Sequence, residues 1–159
     1  MTLATFSTAI DDRYLEDYIP GTTYEFGDIA VDADEIVGFA SRYDPQGKHT
    51  DPIAAAAGPF GGLIASGWLT GSLAMRLYVE HYLSEVASLV SPGLDELRWL
   101  KPVRPGDRLS LRVTVIEIIP SRSKPDRGIL RSLVEVLNQD REVVMSMIAM
   151  NQMLRRKPD

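Results

Sequence analysis

The segment from Asp44 to Asp51 carries the densest set of side chains able to do chemistry. It reads Asp-Pro-Gln-Gly-Lys-His-Thr-Asp, so the carboxylate of Asp44 comes five residues before the imidazole of His49. These two groups are well suited to general acid–base catalysis. Because the proline and glycine between them let the chain fold back, both groups can point at one water molecule. In the alternative interpretation, Asp44 caps a helix and His49 is solvated on a surface loop.

A second segment, from Phe60 to Trp68, is rich in small residues and precedes a long apolar stretch. It reads Phe-Gly-Gly-Leu-Ile-Ala-Ser-Gly-Trp. Free backbone N–H groups at the start of a helix attract negative charge, and glycine lets a ligand approach the backbone closely. The amide of Gly67 is therefore a candidate donor to a carbonyl oxygen that becomes anionic during a reaction. Alternatively, the glycine and serine residues only allow a helix to pack against a crowded sheet.

The composition excludes cysteine chemistry and argues against nucleic acids and membranes as partners. The chain of 159 residues has no cysteine, which excludes a thiolate nucleophile and a Cys-ligated metal and is typical of a cytoplasmic protein. Its formal net charge of −5 and its lack of a basic run argue against nucleic acid as a partner. The N-terminus does not resemble a signal peptide, and glycine, proline and arginine interrupt the most apolar region, so we expect no membrane partner.

The pattern along the chain predicts the elements that must position these residues. Residues 1–23 are polar and aperiodic and are predicted to be a loosely attached lead-in to one domain of residues 24–159. A short strand is expected at 24–29, and a helix that begins after 31 and ends before Pro45. Residues 64–83 are apolar round most of a helical wheel, which predicts a buried helix. Beyond Gly93, four strands with short links predict an antiparallel sheet over 94–100, 108–119, 129–138 and 142–154.

The last two predicted strands are apolar on both faces, which indicates that both faces are covered. One face can take the buried helix. We expect a second copy of the chain to cover the other face, and therefore a homodimer or a higher homo-oligomer. The alternative cover is the lead-in segment.

Together, the two polar segments resemble those of the MaoC-like dehydratases and (R)-specific enoyl-CoA hydratases. The resemblance is carried by the stretch from Tyr43 to Pro52 and by the stretch from Phe60 to Thr70, and it extends over about residues 24–153. Four positions depart from the family pattern: Tyr43, Gln46, Gly47 and Lys48 stand where glycine, asparagine, proline and an apolar residue are usual. These departures put the acyl-chain preference in doubt.

The resemblance implies an α+β hot dog fold, in which an antiparallel sheet wraps one long central helix. It also implies reversible hydration of trans-2-enoyl-CoA to (R)-3-hydroxyacyl-CoA in fatty acid metabolism, with coenzyme A entering as part of the substrate and with no cofactor or metal. The implied catalytic pair is Asp44 and His49, which would activate water. The implied thioester-carbonyl donors are Gly67 and Ser66, and the implied pocket residues are Phe60, Gly61, Gly62 and Trp68.

Coenzyme A carries phosphates, so a basic contact is expected. Arg122, Lys124 and Arg127 are the first candidates and Arg98 and Lys101 the next, with an ordinary solvated loop as the alternative. Lys48 is expected to point to solvent; the alternative is that it faces the thioester. Two other functions stay open at this point: a hot dog acyl-CoA thioesterase, and a non-catalytic module that binds acyl-CoA or a protein partner.

Overall fold

The structure is a computed structural model that describes residues 2–157. Its five strands form one antiparallel sheet. The strands are β1 (Thr23–Ala30), β2 (Gly93–Trp99), β3 (Arg108–Pro120), β4 (Arg127–Leu137) and β5 (Val143–Leu154). Their order across the sheet is β1-β3-β4-β5-β2, and every neighbouring pair is antiparallel. The predicted antiparallel sheet is therefore confirmed.

Four α-helices lie between β1 and β2. They are α1 (Ala33–Tyr43), α2 (Gly47–Thr50), α3 (Pro52–Ala57) and α4 (Gly67–His81). The long helix α4 begins three residues later than predicted because the hydroxyl of Ser66 caps it, accepting a hydrogen bond from the N–H of Trp68 at 3.3 Å. Two short 3₁₀ turns, Ile10–Asp12 and Leu15–Asp17, precede β1.

The core lies between α4 and the inner face of the sheet. Leu73 and Leu77 of α4 are 5% and 3% exposed and belong to one buried cluster with Leu111, Val113 and Val134 of the sheet. A single long helix held against an antiparallel sheet is the hot dog arrangement that the resemblance implied. The expected burial of this helix all round is wrong, however, because an outer stripe of Trp68, Met75 and Val79 is exposed.

The N-terminal segment is anchored rather than loosely attached, which corrects that expectation for residues 2–23. Leu15 and Tyr18 are 2% and 1% exposed and belong to the core. The guanidinium of Arg13 donates to the carbonyl oxygens of His81 and Tyr82 at the end of α4, at 3.1 and 2.9 Å. A positive charge at that end of a helix is favourable because the last carbonyls carry partial negative charge. The domain boundary at residue 24 stays a prediction.

The outer face of the sheet is mixed in character. Leu133 and Ile148 are partly buried there, but ion pairs such as Arg112 with Glu135, at 2.8 Å, lie among the apolar side chains. This composition does not by itself require a covering partner. The lead-in segment packs at the end of α4, on the inner side, so it is not the cover of the outer face that we considered as an alternative.

No helix in the described part of the chain has both the length and the apolar composition needed to cross a membrane. Within residues 2–157, no three metal-ligating side chains come together. A cytoplasmic location stays a prediction.

Candidate active site

Two neighbouring helices bring Asp44 and His49 together. Asp44 is the residue that ends α1, where its N–H donates to the carbonyl oxygen of Ala40 at 2.9 Å. The chain then turns at Gln46 into α2, which carries His49 inward to 4% exposure. As a result, Nε2 of His49 lies 3.4 Å from Oδ2 of Asp44. The sequence prediction that the two groups converge therefore agrees with the geometry.

A backbone carbonyl determines which nitrogen of His49 carries the proton. Nδ1 of His49 lies 2.6 Å from the carbonyl oxygen of Ile64. Because a carbonyl oxygen can only accept, Nδ1 must be the protonated nitrogen. In the neutral ring, the lone pair is then on Nε2, which faces Asp44. The ring can therefore take up a proton at Nε2. Ile64, whose carbonyl oxygen fixes the ring, could not be predicted from the sequence, because a backbone carbonyl oxygen does not depend on side-chain type.

Asp44 is held in its ionised form. The side-chain amide of Gln46 donates to Oδ1 of Asp44 at 2.6 Å. This hydrogen bond, followed by one from the hydroxyl of Ser66, lowers the pKa of Asp44 below its usual value, and the nearby charges of His49 and Lys48 add to the effect. A carboxylate with a lowered pKa is a weak base but a good hydrogen-bond acceptor. Such a carboxylate is suited to accepting hydrogen bonds rather than to taking up a proton.

The amide of Gly67 starts α4 and lies at the same cavity. Within residues 2–157, this N–H has no hydrogen-bond partner. The indole of Trp99, at the end of β2, donates to the carbonyl oxygen of Gly67 at 2.9 Å. A Cβ atom at position 67 would lie 2.5 Å from that indole, so only glycine fits there. Trp99 is a second residue that the sequence did not indicate, because its contact joins two distant segments.

A cavity of about 410 Å³ connects these groups. Its buried wall is formed by His49, Ile64, Ala65, Thr70 and Val103, and its more open side by Asp44, Gln46, Lys48, Gly67, Trp68, Trp99, Leu100, Lys101 and Pro102. This volume and mixed lining are those of a small-molecule site. The cavity therefore brings the Asp44–His49 pair and the backbone amide of Gly67 to one partly apolar space.

Three predicted pocket residues lie elsewhere. Phe60, Gly61 and Gly62 do not line the cavity, whereas Trp68 does. The positive φ angles of Gly61 and Gly62, 66° and 156°, turn this loop, and the guanidinium of Arg104 holds the carbonyl oxygen of Phe60 at 2.7 Å. The buried Ser66 supports the site by its contact with Asp44 and by capping α4.

The predicted phosphate contacts are also remote from the cavity within one chain. Arg122 and Lys124 lie in the link between β3 and β4, next to Arg127, which pairs with Asp126 at 2.8 Å. In the sheet, Arg127 is opposite Leu154, whereas Trp99 of the cavity is opposite Met145. These two β5 positions are nine residues apart, which corresponds to about 30 Å of strand. Contact of these three residues with coenzyme A phosphates therefore stays a prediction, because sequence alone does not reveal which end of a strand faces the site.

The cations at the cavity are Lys48 and Lys101. Lys101, one of the secondary candidates, is paired with Glu142 of the β4–β5 hairpin. Lys48, expected to point to solvent, is partly buried instead: it lines the cavity and its charge acts on Asp44. Arg98 lies outside the lining. A positive charge thus lies at the open side of the cavity that Asp44 and His49 also line.

Comparison with known proteins places the chain in a family. The family model described as MaoC like domain matches residues 17–136. This chain belongs to the MaoC-like dehydratase family. It is 31% identical to the uncharacterized protein YdeM of Bacillus subtilis over 125 residues, which are 79% of this chain and 87% of that protein. It is also 34% identical to 3-hydroxyacyl-thioester dehydratase Z of Mycobacterium tuberculosis over 92 residues, 57% of this chain and 61% of that protein.

Three solved structures agree with the fold. A MaoC-like dehydratase from Rhodospirillum rubrum is 40% identical with a TM-score of 0.84, covering 92% of this chain and 99% of that one. The R-hydratase PhaJ1 from Pseudomonas aeruginosa is 25% identical with a TM-score of 0.73, covering 91% and 86%. A Mycobacterium tuberculosis protein described as a double hot dog fold matches at 17% identity and a TM-score of 0.73, with 96% and 48% covered.

Proposed function

We propose that this MaoC-like protein reversibly hydrates trans-2-enoyl-CoA thioesters to (R)-3-hydroxyacyl-CoA. The observation that carries the proposal is the Asp44–His49 pair, separated by 3.4 Å, at the same cavity as the free N–H of Gly67. The names of two relatives, a 3-hydroxyacyl-thioester dehydratase and an R-hydratase, support the same reaction class. The chemistry needs only side chains and a backbone amide, and coenzyme A enters as part of the substrate.

In the proposed mechanism, one water molecule bridges the pair. One of its O–H groups donates to the carboxylate of Asp44 and the other to Nε2 of His49. As the water oxygen bonds to the β-carbon, His49 takes the second proton, and the π electrons of the alkene move toward the thioester carbonyl to form an enolate. The N–H of Gly67, at the positive end of α4, donates to the enolate oxygen. His49 then returns its proton to the α-carbon, which completes the addition of water.

The roles of base and orienting group follow from the surroundings of each residue. The carbonyl oxygen of Ile64 leaves the lone pair of His49 on Nε2, where it faces the proposed water. The hydrogen bond from Gln46 keeps the pKa of Asp44 low, so Asp44 is the poorer base. We therefore assign proton transfer to His49 and orientation of the water to Asp44.

The direct test is the loss of enoyl absorbance when crotonyl-CoA is hydrated. His49→Ala is expected to lower kcat by about 10²–10⁴-fold, the share usual for one acid–base group. Asp44→Asn is expected to lower kcat as well, because the water loses the carboxylate that orients it. His81→Ala is the matched control, because His81 is exposed at the opposite end of α4. An active wild type whose rate survives both site substitutions would show that the assigned mechanism is wrong. Release of free thiol from acyl-CoA without hydration would support the thioesterase alternative instead.

We also propose that two copies pair along α4 and β2. Trp68, Met75 and Val79 are 59%, 47% and 46% exposed on α4. Leu94, Trp99 and Leu100, from β2 and just after it, are 48%, 44% and 53% exposed. Such a set of large apolar side chains marks a docking surface, and β2 is an edge strand of the sheet. Since Trp68, Trp99 and Leu100 also line the cavity, a second copy on this surface would cover part of its open side.

A further inference from the structure

The cavity stops at the first turn of α4. Gly67, Trp68 and Thr70 contribute to its lining, and Thr70 is 2% exposed. The next inward-facing residues of the helix, Leu73 and Ala74, are 5% and 1% exposed and are packed into the core. A ligand that enters beside Gly67 therefore has about one helical turn, roughly 5.4 Å, before it meets the core.

Met145 lies just outside this space on the sheet side, next to the lining residue Trp99. It is the direct cross-strand neighbour of Trp99, so the two side chains project from the same face of the sheet toward α4. The indole of Trp99 lies against Gly67, and the terminal methyl group of Met145 lies 3.6 Å from the place where a Cβ atom of Gly71 would be. Met145 is 2% exposed. Its side chain thus fills the space under the second turn of α4, directly behind the wall that Trp99 forms.

The core beyond Met145 offers no easy path for a longer ligand. The hydroxyl of Tyr78 donates to Oδ1 of Asn151 at 2.9 Å, and the hydroxyl of Tyr82 is 2.7 Å from that of Ser132. Both tyrosines are at most 2% exposed. Displacing either ring would break a buried hydrogen bond as well as close packing, and an unsatisfied buried hydroxyl is costly. Methionine, which is unbranched and adaptable, is the part of this wall most able to move.

The direction of the substrate follows from the two ends of the cavity. Lys48, Leu100 and Lys101 stand at the exposed side, and only this side has room for a bulky charged carrier. The acyl chain of a thioester bound at Gly67 must then point inward, toward Thr70 and Met145.

We propose that Met145 is a specificity-determining residue that restricts the enzyme to short-chain enoyl thioesters. This inference rests on the proposed hydratase function. An acyl group the size of crotonyl fits in front of Met145, whereas a medium-length chain has to displace its side chain. Selectivity arises because that displacement must occur before the reacting carbons reach Asp44 and His49.

The test compares kcat/KM for crotonyl-CoA and trans-2-octenoyl-CoA. The wild type is expected to prefer crotonyl-CoA, and Met145→Ala should raise the octenoyl-to-crotonyl ratio by about tenfold or more, since a single methylene in a tight pocket can be worth that much. Met153→Ala is the matched control. It removes the same atoms from the same face of β5, at a residue 0% exposed and opposite Gly128, and should leave the ratio unchanged.

Each outcome is decisive. If Met145→Ala does not fold, Met145→Val is measured in its place, with a smaller shift in the same direction. The assignment of Met145 would be overturned if Met145→Ala had the same octenoyl-to-crotonyl ratio of kcat/KM as Met153→Ala, or if the wild type preferred octenoyl-CoA. Either result would leave the hydratase proposal intact. A wild type that hydrates neither thioester would instead remove the proposed function, and with it this inference.

Discussion

At the scale of single residues, the site depends on contacts that give two similar polar groups different tasks. Asp44 receives hydrogen bonds from side chains and stays ionised, whereas His49 is fixed by a backbone carbonyl that leaves Nε2 free. Gln46 is central to this difference, although it replaces the asparagine usual in the family. Its longer side chain still reaches Oδ1 of Asp44, so this departure from the family pattern keeps the hydrogen bond to the carboxylate.

The lowered pKa of Asp44 predicts a pH-dependent effect of Gln46→Met. An aspartate whose pKa is lowered in the folded protein adds stability above its unfolded pKa, and this stability is lost as the pH falls through the folded value. The substitution should therefore lower the free energy of unfolding by about 1 kcal/mol or less at neutral pH, because Asp44 is partly solvated. The difference from wild type should vanish in acid, below the pKa of Asp44.

Urea denaturation at neutral pH and in acid measures the difference in the free energy of unfolding between Gln46→Met and the wild type. Gln139→Met is the control, because Gln139 makes a comparable hydrogen bond to Asp107, at 3.0 Å, outside the cavity lining. A destabilisation by Gln46→Met that is equally large in acid would contradict a role for Gln46 in holding the ionised carboxylate.

At the scale of elements, the strands and the long helix could be predicted from the sequence, but the contacts between elements could not. Alternation of apolar residues along 108–119 predicted β3, and an almost continuously apolar stretch predicted α4. The site, however, is assembled where α2, the start of α4 and the end of β2 meet. Trp99 and Ile64 act there through contacts with residues far away in the chain, and such contacts leave no periodic signal. The anchoring of Leu15 and Tyr18 was missed for the same reason.

The contact between Gly67 of α4 and Trp99 of β2 predicts that substitutions at these two residues have non-additive effects on the free energy of unfolding. Gly67→Ala would place a Cβ atom 2.5 Å from the indole, and we expect about 1–3 kcal/mol of destabilisation together with a lower kcat. Trp99→Phe should relieve the clash, so the double variant should be less destabilised than the sum of the single ones.

A helical glycine in open space provides the control for the double-mutant cycle of Gly67→Ala and Trp99→Phe. Gly38 lies in α1, and a Cβ atom added there would have nothing within 4 Å, so Gly38→Ala should be neutral or stabilising by about 0.5–1 kcal/mol. Thermal unfolding of the four proteins of the cycle, with Gly38→Ala alongside, measures the coupling. Strict additivity of Gly67→Ala and Trp99→Phe would show that the indole does not determine the need for glycine.

At the scale of the whole molecule, one end of α4 carries the site and the other end is clamped by the N-terminal segment. Arg13 and Tyr18 both bond to the carbonyl oxygen of Tyr82, so the helix is held at the end opposite Gly67. The exposed apolar residues of α4 and β2 run beside the site. The arrangement agrees with a rigid helix that presents its first turn to substrate and its outer stripe to a second copy.

The proposed pairing predicts that Val79→Glu converts a dimer into a monomer, because a charge would be buried at the interface. Light scattering after size-exclusion chromatography measures the mass. Activity should fall in parallel, since the cavity would lose the cover that a second copy provides. Ile119→Glu is the control, at 45% exposure on β3, a strand that is not adjacent to β2 in the sheet. A monomeric wild type, or a Val79→Glu variant with unchanged mass, would contradict the pairing.

Trp68 and Trp99 pack edge to face, with ring centroids 5.1 Å apart, and both line the cavity. They are also the two tryptophans of the chain. All indole emission from this protein therefore originates at the wall of the site, one ring bonded to the backbone of α4 and the other open to solvent. The tryptophan fluorescence of the unmodified protein can therefore report the binding of a ligand beside Gly67, without a label and without a measurement of activity.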